Sequence, residues 1–343
     1  MDPRAEFEKA TGASFFLQIG DRKETEHYLR RQEWLDQQET VLRLEHPGEG
    51  NMNQVVRVVT NQRSVILKQS RPWVQKFPQI EAPVGRVLIE ARFYELINRD
   101  AFFRQFAPQV FGRDPDNYVL LLEDLGKGAD FTFIYQLEHT IDATHLEQLM
   151  GILSHFHHLK FDRETVEDFP DNLGMRRLNH QHLFVFPLAE DTGFDLDQVQ
   201  PGLQDIALPY KRDKKLKENM QELGERYLSA GPCLLHGDYF PGSWLKIGTE
   251  VKIIDPEFCF FGPPEYDLGV MLAHLNMART HPEMVSEARE KYQEPAGFDE
   301  KLRRKFTGME LIRRLIGLAQ LPLDLQLKEK AALLKEAREM VVN

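Results

Sequence analysis

Two β-branched runs, VVRVVT (55–60) and SVILKQ (64–69), flank three polar residues and predict an antiparallel hairpin. Ahead of them, residues 21–39 (DRKETEHYLRRQEWLDQQE) are densely charged. That stretch predicts a surface helix, with Tyr28, Leu29 and Trp34 as the side chains that meet the body. The turn-rich HPGEGNMNQ lies between this helix and the hairpin. In GRVLIEARFYELINR (85–99), apolar residues at 87, 88, 89, 93, 94, 96 and 97 predict a helix with a buried face. NYVLLLEDLGKG (117–128) predicts a buried strand that stops at a glycine-flanked connector. The first 125 residues therefore read as a strand-rich lobe holding one long helix.

Past Gly128 the pattern turns helical. THLEQLMGILSHFHHLK (144–160) and KRDKKLKENMQELGERYLS (211–229) carry helical spacing, and it returns in YDLGVMLAHLNMAR, LRRKFTGMELIRRLIGLA and KEKAALLKEAREMVV. A short strand-rich island at 233–261 interrupts them. The expected fold class is α+β, with an N-terminal lobe over 1–125, a larger, mainly helical lobe over 126–343 and a cleft between them. No apolar run reaches the ~20 residues of a membrane span, and no secretory signal is evident in the first thirty residues. The chain has 343 residues and a net charge of −11, a balance that disfavours general binding to nucleic acid. Its two cysteines, Cys233 and Cys259, offer neither a disulfide framework nor a CxxC knuckle, which suits the cytoplasm.

The island carries the chemistry. LLHGDYFPGSWLKI leads through His-Gly-Asp into a turn at Pro241-Gly242, and VKIIDPEF follows, with Asp255 ending the return strand. A hairpin of that kind predicts Asp238 and Asp255 at the same rim. One carboxylate could then orient a hydroxyl and the other hold a divalent metal, the pairing that phosphoryl transfer uses.

At these residues the chain resembles the protein-kinase-like fold of aminoglycoside phosphotransferases and choline kinases. Gly237 stands where protein kinases have arginine in H-R-D, and Ser243 stands at their asparagine position. IIDPEFCFFGPPEYDLG, HGDYFPGS and ELIRRLIGLA (310–319) resemble 5-methylthioribose kinases more specifically. The resemblance runs in order from residue 49 to 319. Tyr239-Phe240-Pro241 departs from that family's Leu-His-Thr, so fold and reaction carry over more directly than the acceptor.

The resemblance implies an ATP- and Mg²⁺-dependent kinase acting on a small-molecule hydroxyl, with 5-methylthioribose of methionine salvage as the best-matched acceptor. An aminoglycoside, an amino alcohol such as choline, or another sugar is the alternative within the class. A nucleotide-binding pseudokinase is the alternative outside it. ATP would lie in the cleft between the lobes, under a loop at 49–53 containing Gly50 and Asn51. Lys68 would meet the phosphates, held by Glu90, and the backbone of Glu123 and Leu125 would meet adenine. Asp238 would be the catalytic base, and Asp255, with Glu257 and Ser243, would hold the metal. Arg313 and Arg314 would bind the acceptor, with exposure at the surface as the plainer alternative.

His236 is read as structural, and Asp267 as an acceptor for backbone N–H groups of the catalytic loop. His155, His157 and His158 do not share one helix face and are read as packing and surface. Neither a nucleic acid nor a membrane is expected as a partner, and a homodimer is left open.

Overall fold

In the computed structural model, which describes residues 2–48 and 52–343, the chain forms two compact units. The first runs to Ala129 and takes in Lys252–Glu257. The second comprises Asp130–Val251 and Phe258–Asn343. That return of six residues to the first unit is a tertiary property, and no local pattern in the chain announces it. Gly50 and Asn51 lie outside the described residues.

The first unit is built on a five-stranded antiparallel sheet in the order Val41–Glu45, Gln54–Thr60, Ser64–Gln69, Val119–Glu123, Val110–Asp114. The expected hairpin is present, with Val55 opposite Lys68 and Val58 opposite Val65. Side chains alternate across a strand. Val56 and Val58, then Val65 and Leu67, enter one core with Phe15, Tyr28 and Leu29. Lys68 has the opposite parity and so belongs to the other face.

The charged segment forms a helix only over Arg22–Arg31. It stops because Glu33 takes a φ of +59° and Trp34 donates its N–H back to the Leu29 carbonyl. Tyr28 and Leu29 are buried, and Tyr28 stacks on Phe15 with ring centroids 3.7 Å apart. The Arg86–Ile97 helix lies within the span that its spacing predicts.

The second unit is mainly helical around an extensive apolar core. Aspartates set several helix starts: Asp142 caps Ala143–His158, Asp213 caps Lys214–Leu228 and Asp299 caps Glu300–Ile316. Each side chain accepts from an N–H of the first turn that has no partner inside the helix. The Asp213 cap explains why the helix expected from 211 begins at Lys214, for Lys211 closes a separate helix, Leu203–Lys211.

Cys233–Leu235, the strand leading into Asp238, pairs antiparallel with Phe260–Gly262. The expected single hairpin is thus divided, since Trp244–Ile247 neighbours Glu250–Ile253 in a different sheet. Among the described residues, no helix is long and apolar enough to cross a membrane.

Candidate active site

In the first unit, Lys68 extends from the sheet face opposite the core and is almost wholly buried. Its ammonium donates to both oxygens of Glu90, at 2.7 and 2.8 Å, and to Asp255 Oδ1 at 2.6 Å. Burial opposes the positive charge, but Asp255, Glu90 and Glu257 outweigh it and hold Lys68 above the ordinary lysine range. Glu90 sits on the Arg86–Ile97 helix, where burial pushes its carboxyl up to about 7 against the pull of Lys68.

Asp255 has a φ of +61° and precedes Pro256. The left-handed region is unfavourable for an L residue, and a following proline restricts the backbone further. The Tyr94 hydroxyl accepts the Asp255 N–H at 3.0 Å and, with the Lys68 contact, helps hold that conformation. The Asp255 side chain remains 50% exposed.

Glu257 is buried by comparison. Its Oε2 accepts from Asn53 at 3.0 Å and lies 3.5 Å from Arg86 Nε. Burial pushes its carboxyl up to about 8, opposed by Arg86 and Lys68. The fully buried Arg86 also donates to the carbonyls of Met52, Arg71, Trp73 and Pro83, tying down the chain around the hairpin.

The donor chemistry suits Mg²⁺, which takes oxygen ligands and uses one or two protein carboxylates while keeping water and phosphate oxygens. Asp255 and Glu257 supply two such carboxylates. Among the described residues, no group of three or more His, Cys, Asp or Glu could enclose a metal. The three clustered histidines form no such site, and His157 is buried with its Nδ1 2.7 Å from the Tyr292 hydroxyl.

Glu123 ends its strand with its N–H donated to the Gln109 carbonyl at 2.9 Å, so that donor is already taken. Leu125, two residues on, is half-buried. Asp124 between them receives a two-bond fork from Arg57, at 2.7 and 2.9 Å. Arg57 also donates to the Gly126 carbonyl at 2.8 Å, bracing the connector.

In the second unit the His-Gly-Asp loop is fixed from below by Asp267. Its two oxygens accept the N–H groups of His236, at 2.7 Å, and Gly237, at 3.0 Å. This is the support expected of Asp267. His236 Nδ1 accepts from the Asp238 N–H at 3.3 Å, a local role within the loop. Ser243 donates its hydroxyl to the Asp238 carbonyl at 2.8 Å, closing the loop and leaving only its lone pairs for any metal.

Asp238 Oδ1 is a buried polar atom without a hydrogen-bond partner, and the side chain is 18% exposed. Arg313 and Arg314 approach that oxygen to 3.9 and 3.7 Å. Both arginines are buried, which overturns the surface alternative. Burial raises the Asp238 carboxyl above its usual range, opposed by the two guanidiniums.

Sequence reasoning missed what holds those arginines. Glu310 Oε1 accepts from Arg314 Nε at 2.7 Å, and Arg313 Nη1 reaches both Glu310 oxygens at 3.1 and 3.0 Å. The signal was available: in ELIRR, Glu310 lies three and four residues before the arginines, the spacing that brings helical side chains together. Burial would raise Glu310, but Arg313 and Arg314 hold it far below the carboxylate range.

A profile of the phosphotransferase enzyme family (APH) matches residues 43–304. The chain belongs to that family. It is 25% identical over 235 residues to methylthioribose kinases of Bacillus cereus (strain G9842) and Bacillus mycoides (strain KBAB4). Each match takes in 66% of this chain. The chain spans 58% of the first relative's length and 59% of the second's.

Among solved structures, Plasmodium vivax ethanolamine kinase superposes with a TM-score of 0.56 at 12% identity, covering 98% of this chain and 94% of that one. Spectinomycin phosphotransferase, solved with ADP and spectinomycin, superposes at 0.53 and 12% identity, covering 94% and 98%. These likenesses show the fold: a protein-kinase-like α+β fold with a smaller sheet-bearing unit and a larger helical one.

Proposed function

We propose that this chain is an ATP- and Mg²⁺-dependent kinase that phosphorylates 5-methylthioribose at its anomeric hydroxyl, in methionine salvage. The observation that carries the reading is Asp238, a carboxylate fixed on a braced glycine loop with one buried, unpartnered oxygen beside two guanidiniums. An acceptor hydroxyl would satisfy that oxygen. Its oxygen attacks the γ-phosphorus, the bond to the bridging oxygen of the departing ADP breaks, and Asp238 takes the hydroxyl proton late. Arg313 and Arg314 suit the charge of the transferred phosphoryl group and the sugar's remaining hydroxyls. Two cations beside Asp238 also favour an uncharged sugar over an amino alcohol or aminoglycoside, as does the likeness to methylthioribose kinases.

In the first unit, Lys68 suits the α- and β-phosphates, with Glu90 fixing its position. Gly50 and Asn51 are assigned to the loop over the phosphates, and the Glu123 carbonyl and the Leu125 backbone to adenine. Asp255 would be the main protein ligand of Mg²⁺, with Glu257 the second carboxylate and Ser243 adding at most a lone pair. The ion's chemistry there is neutralisation of phosphate charge. Two buried cysteines, neither of them in a disulfide, suit the cytoplasm proposed for it.

The test is ADP release from ATP in the presence of methylthioribose, other sugars, amino alcohols and aminoglycosides. Release that depends on methylthioribose is the expected result. Turnover with choline or an aminoglycoside alone would replace the acceptor. ATP binding without turnover on any of them would make the protein a nucleotide-binding pseudokinase.

A further inference from the structure

Glu310 is wholly buried on the Glu300–Ile316 helix and receives donors from three side chains. Arg313 and Arg314 reach it from the following turn, and His274 reaches it from the Glu265–Met277 helix, with Nε2 3.0 Å from Glu310 Oε1. The same guanidiniums stop 3.9 and 3.7 Å short of Asp238 Oδ1, beyond hydrogen-bond length. Guanidinium and carboxylate ordinarily close into a short, two-bond fork. Here both arginines spend donors on one buried anion while standing off from another that has an unpartnered oxygen. A competing attraction must hold them there.

We infer that Glu310 is a positioning residue that draws Arg313 and Arg314 back from Asp238, keeping Asp238 Oδ1 open to the acceptor hydroxyl. The inference rests on the reading of Asp238 as the acceptor-side base.

Two further residues fix Glu310 in turn. An ionised carboxylate only accepts, so His274 must carry its proton on Nε2. Nδ1 then accepts from the Tyr135 hydroxyl at 2.6 Å. Burial lowers His274 to about 4, so it remains neutral and adds no third positive charge to the cluster. Arg314 has a second restraint, for its guanidinium lies over the Phe240 ring at 4.8 Å, and Phe240 packs against His274. Tyr135, His274 and Phe240 thus come from three separate segments to hold one geometry.

The test is the crystal structure and steady-state kinetics of Glu310→Gln, which keeps the side chain's shape and removes its charge. At least one guanidinium nitrogen should close to within ~3.2 Å of Asp238 Oδ1. Turnover should fall about 10²-fold, with ATP affinity unchanged within about twofold. If that variant is not recovered folded, Glu310→Asp, which keeps the charge but moves it back by one methylene, should give a partial approach of the guanidiniums to Asp238 and a smaller loss of turnover, and an unaltered enzyme would overturn the inference.

Arginines that stay in place, or that close on Asp238 with turnover unaltered, overturn the inference. So does lost turnover without closure, which would make Glu310 a structural support alone. A wild-type enzyme that phosphorylates none of the acceptors defeats the proposed function; an active wild type whose variant fails to close defeats this inference only.

Discussion

Replacing Gly237 by alanine should damage both stability and turnover, and the structure separates two causes. Gly237 has a φ of +82°, which an L residue adopts at a cost of about 1–2 kcal/mol. A Cβ there would also stand 2.2 Å from the Phe258 carbonyl oxygen and 2.5 Å from its carbon. Both neighbours are backbone, so relief requires the loop or the Phe258 segment to move. Overpacking of that kind costs about 1–3 kcal/mol, giving about 2–5 kcal/mol in all. Gly248 is the control: its φ is +62°, but a Cβ there meets nothing within 4 Å. Gly248→Ala should therefore cost only the conformational ~1–2 kcal/mol.

Urea denaturation of both variants gives the difference, which isolates the clash. The displaced loop carries Asp238, and a shift near 1 Å at a reacting group can cost about 10²-fold in rate. Gly237→Ala should show a loss of that order, while Gly248→Ala keeps its rate. Equal stabilities for the two variants, or a Gly237→Ala enzyme with normal turnover, would refute the argument from loop geometry.

Asp238→Asn should retain ATP binding while turnover falls by at least ~10²-fold, the scale of a lost general base; calorimetry with ATP beside steady-state rates checks both halves. Asp255→Ala should weaken Mg²⁺-dependent ATP binding, and an affinity that still responds fully to Mg²⁺ would place the ligand elsewhere. Arg313→Ala or Arg314→Ala should raise the acceptor KM or lower kcat with ATP affinity retained, and unaltered kinetics in both would remove them from the acceptor site.

Stability of the metal-free protein should fall as pH rises from 7 to 8, above the value of about 7 to which burial raises Glu90. Buried Glu257 keeps its proton up to about 8, whereas the unfolded chain releases it near 4.5. The folded state holds the extra proton between those two values, so the stabilisation is full below the lower one and is lost as pH rises toward the upper one. Glu257→Gln should flatten the slope measured by denaturation at several pH values, and an unchanged slope would rule out Glu257 as its source.

The parts of this fold that were legible in the sequence are those set by local period. Val56, Val58, Val65 and Leu67 alternate because their strands bury one face, and the same parity leaves Lys68 on the other. Contacts between distant segments were less visible. The pairing of Cys233–Leu235 with Phe260–Gly262 was hidden because Trp244–Ile247 and Glu250–Ile253 offer a nearer hairpin across Gly248. Buried charges were also hard to recognise, since a lone Glu310 or Arg86 within a helical pattern resembles any solvent-facing residue. What separates them is partnership: Arg86 is surrounded by four backbone carbonyls, and Glu310 by two guanidiniums and an imidazole. A buried charge that lacked such partners would cost several kcal/mol. In ELIRR the helical spacing already supplied two of Glu310's three partners; only His274, thirty-six residues away, required the fold.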